Sequence, residues 1–220
     1  MTMAAKKTLP KLYRLSDKCI DLLTEKVMLR FNRAHDTIWR GGFDELNTIK
    51  TVKTLYSQLD GDARKLWREL YDEIYIYYIA LYAPDSARGK PAAGKRVDAI
   101  LSTPNPLSHY AWDREKGRKQ DRTTEGVLST ADREADKIWN TSLRLWVAAT
   151  RLYSDDVAYQ AALDAMRDAG IKRVRWITEA DERVCDDCKP LHGKVFSIDK
   201  IPDKPHIGCR CYLQPVTKRK

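Results

Sequence analysis

The stretch VCDDCKPLHGKVFSIDKIPDKPHIGCRC, residues 184–211, holds four of the chain's five cysteines and two of its four histidines. Sulfur and imidazole crowded in this way leave three solutions: a metal-bound unit, a disulfide knot, or the active centre of a small nuclease. The ligand pattern is Cys185-x2-Cys188 and then, after a 17-residue spacer, His206-x2-Cys209-x-Cys211, with His192 between them. Two cysteines spaced as Cys-x2-Cys on a turn can meet one ion, and zinc then takes two more nitrogen or sulfur ligands. If CRC is a strand, Cys209 and Cys211 point to the same side. Cys185, Cys188, His206, Cys209 and Cys211 therefore compete for four positions. The favoured set is Cys185, Cys188 and two of the other three, with His192 as a turn residue in LHGK. Four protein ligands make a closed structural site, because catalytic zinc keeps one position open. A segment this short buries little apolar area, so a metal would supply much of its folding energy. Reduced cysteines in a small core, and disulfides, remain as alternatives.

The compartment bears on that choice. The N-terminal MTMAAKKTLPKLYRLSDKC is basic but leads into no apolar region of signal-peptide type. Export, and with it a stable disulfide framework, is therefore not expected. No apolar run reaches the length of a transmembrane helix. A net charge of +9 suits a protein that works beside nucleic acid or an acidic partner.

The remainder of the chain reads as helix. Ile20, Leu23, Val27, Phe31 and Ile38 recur at helical spacing over residues 16–40, with Ser16 or Asp17 as the cap and Gly41-Gly42 as the break. A second helix is predicted over 43–59 and a third over 62–83, parted by the turn signal Asp60-Gly61 and ended by Pro84. The tyrosine-rich YDEIYIYYIALY in the third reads as a surface buried by neighbours, since it lacks the interleaved Lys and Arg of a base-stacking platform. Residues 84–96 read as a linker, and the proline-punctuated segment after them as a loop. The basic REKGRKQDR that follows reads as a solvated helix face, with a contact to DNA phosphate or to an acidic partner as the alternative. Residues 130–169 are helical again; Ser154-Asp155-Asp156 reads as an interruption that starts a second segment, with acidic residues favourable at its N-terminus, and Gly170 as the C-cap. The period then changes: Val174, Trp176 and Thr178 alternate with Lys172, Arg173 and Arg175 as in a half-buried strand, and KVFSI and CRCYLQPV are further strand candidates. Lone Cys19 reads as a small core residue. The expected fold is mainly α with a small C-terminal β unit. The expected division is an N-terminal helical region at 1–90, a second helical region at 91–170 and a zinc-stapled unit at 171–220.

RVRWITEADERVCDDCKPLHGKVFSIDKIPDKPHIGCRCYLQPV also resembles the closing motif of the phage head-morphogenesis family, the minor head or Mu F-like proteins. The likeness rests on Trp176, Asp181, Arg183, Cys185, Cys188, Gly193, Phe196, Pro205, His206, Cys209, Arg210 and Cys211, all in order. A looser likeness extends it upstream to about residue 95. The resemblance implies a non-enzymatic virion component near the portal vertex, present in the host cytoplasm during assembly. Its implied partners are the portal protein, the major capsid or scaffolding protein, and packaged double-stranded DNA, with no membrane. With only VTKRK after Pro215, no fused toxin or transferase domain is expected. Two other readings remain. One is a zinc-stapled DNA-binding module; the other is a small nuclease using His192 or His206 as general base, although no carboxylate pair accompanies either in sequence.

Overall fold

The computed structural model of the chain describes residues 3–84, 93–130, 134–178, 186–206 and 209–216, with side chains from residue 11 onward. Five helices come first among these: α1 (Met3–Arg40), α2 (Glu45–Tyr82), α3 (Ala93–Ser102), α4 (Trp112–Thr130) and α5 (Ala135–Asp168). Three short strands follow, β1 (Arg173–Ile177), β2 (Val195–Ser197) and β3 (Tyr212–Pro215). They form an antiparallel sheet in the order β2-β1-β3. The mainly helical fold with a small C-terminal sheet is as the sequence indicates.

The first two helices form a hairpin. On α1, Cys19, Leu23, Val27, Phe31, Ala34 and Ile38 share one buried face, the three- and four-residue spacing that places side chains on one stripe. After the turn, the Asp44 side chain accepts the Asn47 backbone N–H (2.8 Å) and caps α2. Ser16 is no cap: α1 runs back to Met3, and the Ser16 hydroxyl is buried and donates to Asp155 (3.0 Å).

Two expected breaks are absent, each for a tertiary reason. Asp60-Gly61 lies inside one continuous α2 rather than between two helices. The Asp60 carboxylate is engaged by the Trp112 indole N–H (2.6 Å), by Arg64 one turn on (3.0 Å) and by Lys116 (3.1 Å), which removes its tendency to seek a local backbone turn. Ser154-Asp155-Asp156 likewise lies within α5, because all three side chains have distant partners. Ser154 accepts the Trp67 indole N–H (2.8 Å), Asp155 accepts from Ser16, and Asp156 accepts the Asn105 amide (3.2 Å).

These bonds surround an aromatic core. Trp67, Trp112 and Trp146 are all inaccessible to solvent, and Trp112 meets Trp67, Trp146 and Tyr153 at ring separations of 4.8, 5.1 and 5.0 Å. Edge-on contacts of this kind stabilise beyond the area they bury. The tyrosine-rich segment is buried by its neighbours as expected: Tyr71, Tyr75 and Tyr78 face inward, and Tyr71 and Tyr75 donate to Asp164 and Asp168 of α5 (both 2.6 Å). The basic segment of α4 is less solvated than expected, with Lys119 held by Glu115 (2.9 Å) at 14% side-chain exposure. Of the expected linker, residues 85–92 lie outside the described residues, and α3 begins at Ala93.

Gly61 is a helical residue whose added Cβ would meet nothing within 4 Å. Gly61→Ala should therefore raise stability by about 0.5–1 kcal/mol, through helix propensity and lost unfolded-state entropy. Thermal melting should show a rise of about 1–4 °C; a fall would mean that α2 does not run through this position. Ser154→Ala should cost about 1–3 kcal/mol in denaturant titration, by leaving the buried Trp67 N–H without an acceptor.

Candidate metal centre

Short local devices bring distant ligands together. Cys188 caps a single 3-10 turn, Lys189–Leu191, and its carbonyl accepts the Leu191 N–H (3.0 Å). Gly193, at φ +76°, reverses the chain into β2, a conformation that an L side chain would strain. The Gly193 N–H then donates to the Trp176 carbonyl (2.8 Å), tying the turn to β1. On the other side, the Cys209 N–H donates to the His206 carbonyl (3.3 Å) and holds these two residues together.

The result is a convergent set. One donor atom each from Cys188, His206 and Cys209 lies within 4.8 Å of the others. Cys188 Sγ is 3.3 Å from His206 Nε2 and 3.6 Å from Cys209 Sγ. A tetrahedral ion with bonds of about 2.3 Å to sulfur and 2.0–2.1 Å to nitrogen would separate two sulfurs by about 3.8 Å and a sulfur and nitrogen by about 3.6 Å. The spacing therefore fits such an ion with adjustments of a few tenths of an ångström. It does not fit a disulfide, whose sulfurs stand about 2.05 Å apart. Cys188, His206 and Cys209 can hold a metal.

The remaining candidates divide. Cys211 is buried and interacts with both Cys209 and Cys188, but it lies outside the set of three. The strand argument for Cys209 and Cys211 does not apply, because β3 starts only at Tyr212. Cys185, with Asp181 and Arg183 of the closing motif, lies outside the described residues. His192 is a turn residue as expected; its Nδ1 accepts from the Thr178 N–H (3.2 Å) and hydroxyl (2.7 Å), so it is engaged with the end of β1. Cys19 is a buried core thiol, pushed up to about 12 by burial and therefore protonated and unreactive.

The electrostatics favour a charged sulfur. The Cys209 thiol is lowered below the usual cysteine value, chiefly because Cys211 hydrogen-bonds to its thiolate. Cys211 is raised in turn as the donor of that bond. Lys204 adds positive charge beside Cys209, and its ammonium donates to the Cys209 carbonyl (3.2 Å). Metal binding requires the thiolate, so a cysteine whose pKa is lowered has a smaller proton cost of loading.

The centre is docked on the helices. Arg210 reaches Asp17 of α1 (3.4 Å) and covers the Tyr13 ring, while Arg167 of α5 meets Asp199 (3.6 Å). Between α5 and the centre lies a cavity of about 50 Å³ whose walls include Asp155, Asp156, Tyr159, Lys204, His206 and Cys209. Sequence reading missed this carboxylate pair beside His206. Its signal was the acidic doublet in mid-helix, taken there for a helix start. Burial raises both carboxyls above the usual aspartate value.

Residues 118–214 match the family model described as Phage Mu protein F like protein. The likeness to phage head-morphogenesis proteins seen in the closing motif is thus found independently over a longer segment, which contains all three convergent ligands. No curated protein and no solved structure matches the chain.

The raised carboxyls make the fold more tolerant of acid. A buried aspartate with a raised pKa binds its proton more tightly when folded, so its ionisation destabilises the fold as pH rises above the unfolded value of 3.8. An Asp155→Asn/Asp156→Asn variant should lose that decline. Denaturant midpoints measured from pH 3.5 to pH 7 should show the variant gaining on the parent as pH rises, and parallel profiles would contradict the burial argument.

Proposed function

We propose that this chain, whose residues 118–214 form a Phage Mu protein F like segment, is a structural minor head protein of a tailed phage. In this reading it associates with the portal protein and assists capsid assembly or genome packaging and delivery, without catalysing a reaction. The observation that carries the reading is the family match together with the convergent Cys188, His206 and Cys209 inside it.

The metal is zinc, held by Cys188, His206 and Cys209 with a fourth ligand from Cys185 or Cys211. Thiolate and imidazole donors suit zinc over harder ions. With four protein ligands no position is left for substrate, and the ion serves to close a small β unit. Exposed Leu22, Met28 and Leu29 on α1 supply apolar surface of the kind a protein partner covers. Among the described residues no helix is long and apolar enough to cross a membrane.

A nuclease reading draws on the cavity that Asp155 and Asp156 share with His206. It is disfavoured because His206 Nε2 faces Cys188 Sγ, and a nitrogen that binds metal has no lone pair left to accept a proton. The raised carboxyls are also poorer metal ligands than ordinary aspartates.

Metal analysis of the purified protein should find about one zinc per chain, as a closed four-ligand site requires. Chelation should release the ion and loosen the C-terminal strands in hydrogen exchange, whereas a metal-free protein with fully protected strands would end the zinc reading. Co-expression with the portal protein of the same genome should give a complex in pull-down, and the protein should be found in purified heads. Absence from both would refute the assembly reading. Plasmid cleavage abolished by His206→Ala would replace it with the nuclease.

A further inference from the structure

The two arms of the α1–α2 hairpin enclose an open groove of about 420 Å³. Its walls are Arg30, Arg33, Thr37, Asn47, Lys50, Thr51, Thr54 and Gln58, over a floor of Ala34 and Leu55. The charge pattern is one-sided: three cations line the groove and no carboxylate does. Arg30 is committed, bonded to Asp62 and to the side-chain amide oxygen of Gln58 (2.7 Å). Arg33 and Lys50 are exposed, and among the described residues neither has a carboxylate within ion-pair distance. The charges stand on opposite arms, Arg33 on α1 and Lys50 on α2, with hydroxyls and amides between them.

We propose that this groove binds the phosphate backbone of nucleic acid without regard to sequence. Phosphate contacts are made by Arg and Lys together with Thr, Asn and Gln side chains, which is the composition of these walls. An acidic peptide would be met by charge alone and would have less use for three threonines. The groove offers no exposed aromatic face, so stacking on unpaired bases contributes nothing and duplex is the expected form. The chain's net charge of +9 adds long-range attraction. The inference stands on these residues alone and does not depend on the phage-head reading.

The test uses the full chain and a fluorescent 30-base-pair duplex of arbitrary sequence, with anisotropy measured over a salt series. Arg33→Glu/Lys50→Glu is compared with Lys194→Glu/Lys200→Glu, which makes the same change in net charge at two exposed lysines of the β unit. The groove variant should bind at least about tenfold more weakly, and Arg33→Ala/Lys50→Ala should lower the salt slope by about 2, one for each lost phosphate contact. The β-unit variant should change affinity by less than about threefold. Equal losses in the two charge-reversed proteins would overturn the proposal, because they would indicate attraction by overall charge. Absence of binding at 50 mM salt, or tighter binding to a poly-glutamate peptide than to the duplex, would also overturn it. Thermal melting of each variant confirms folding; both groove residues are exposed, so their melting points should match the parent.

Discussion

A helix through the middle of a protein can carry three consecutive polar side chains only if each finds a partner. On α5, Ser154 accepts the Trp67 indole, Asp155 the Ser16 hydroxyl and Asp156 the Asn105 amide. An unmade bond at any of these sites would cost more than the bond contributes when made. The first two bonds lock α5 to α2 and α1, and the third fixes the loop ahead of α4. Because α5 continues unbroken, its second half forms the wall on which the C-terminal unit rests.

That unit has little else to hold it. Its sheet consists of strands of five, three and four residues, and its inner face is essentially Val174, Trp176 and Leu213. The cysteines and histidine occupy space that a larger domain would fill with apolar side chains. The 3-10 turn at Cys188 and the backbone bond from Cys209 to His206 bring three donors to one point, and the Cys211 hydrogen bond favours the thiolate of one of them. Ion pairs of Arg210 and Arg167 to the helices orient the unit but are partly exposed, and pairs of that kind contribute little energy. A bound ion would supply the missing cohesion.

Much of this was legible in the chain. Helical spacing located the buried face of α1, alternation located β1, and the His-x2-Cys spacing with Cys188 located the centre. The errors share one cause. Asp60-Gly61 and Ser154-Asp155-Asp156 are local break signals, overridden by Trp112 and Trp67, which lie 52 and 87 residues away along the chain. Local propensity is a weak prior when a buried indole needs an acceptor. Cys209 and Cys211 do lie together, but through a side-chain hydrogen bond rather than the shared strand face the spacing suggested, since β3 starts only at Tyr212. The groove of Arg33 and Lys50 could not be read from either helix alone, because it exists only between them.

The most direct test is X-ray absorption at the zinc edge on the protein as purified. The expected first shell is three sulfurs at about 2.3 Å and one nitrogen at about 2.0–2.1 Å, from Cys188, Cys209, one further cysteine and His206. A shell dominated by oxygen, or one lacking the imidazole nitrogen, would contradict the account.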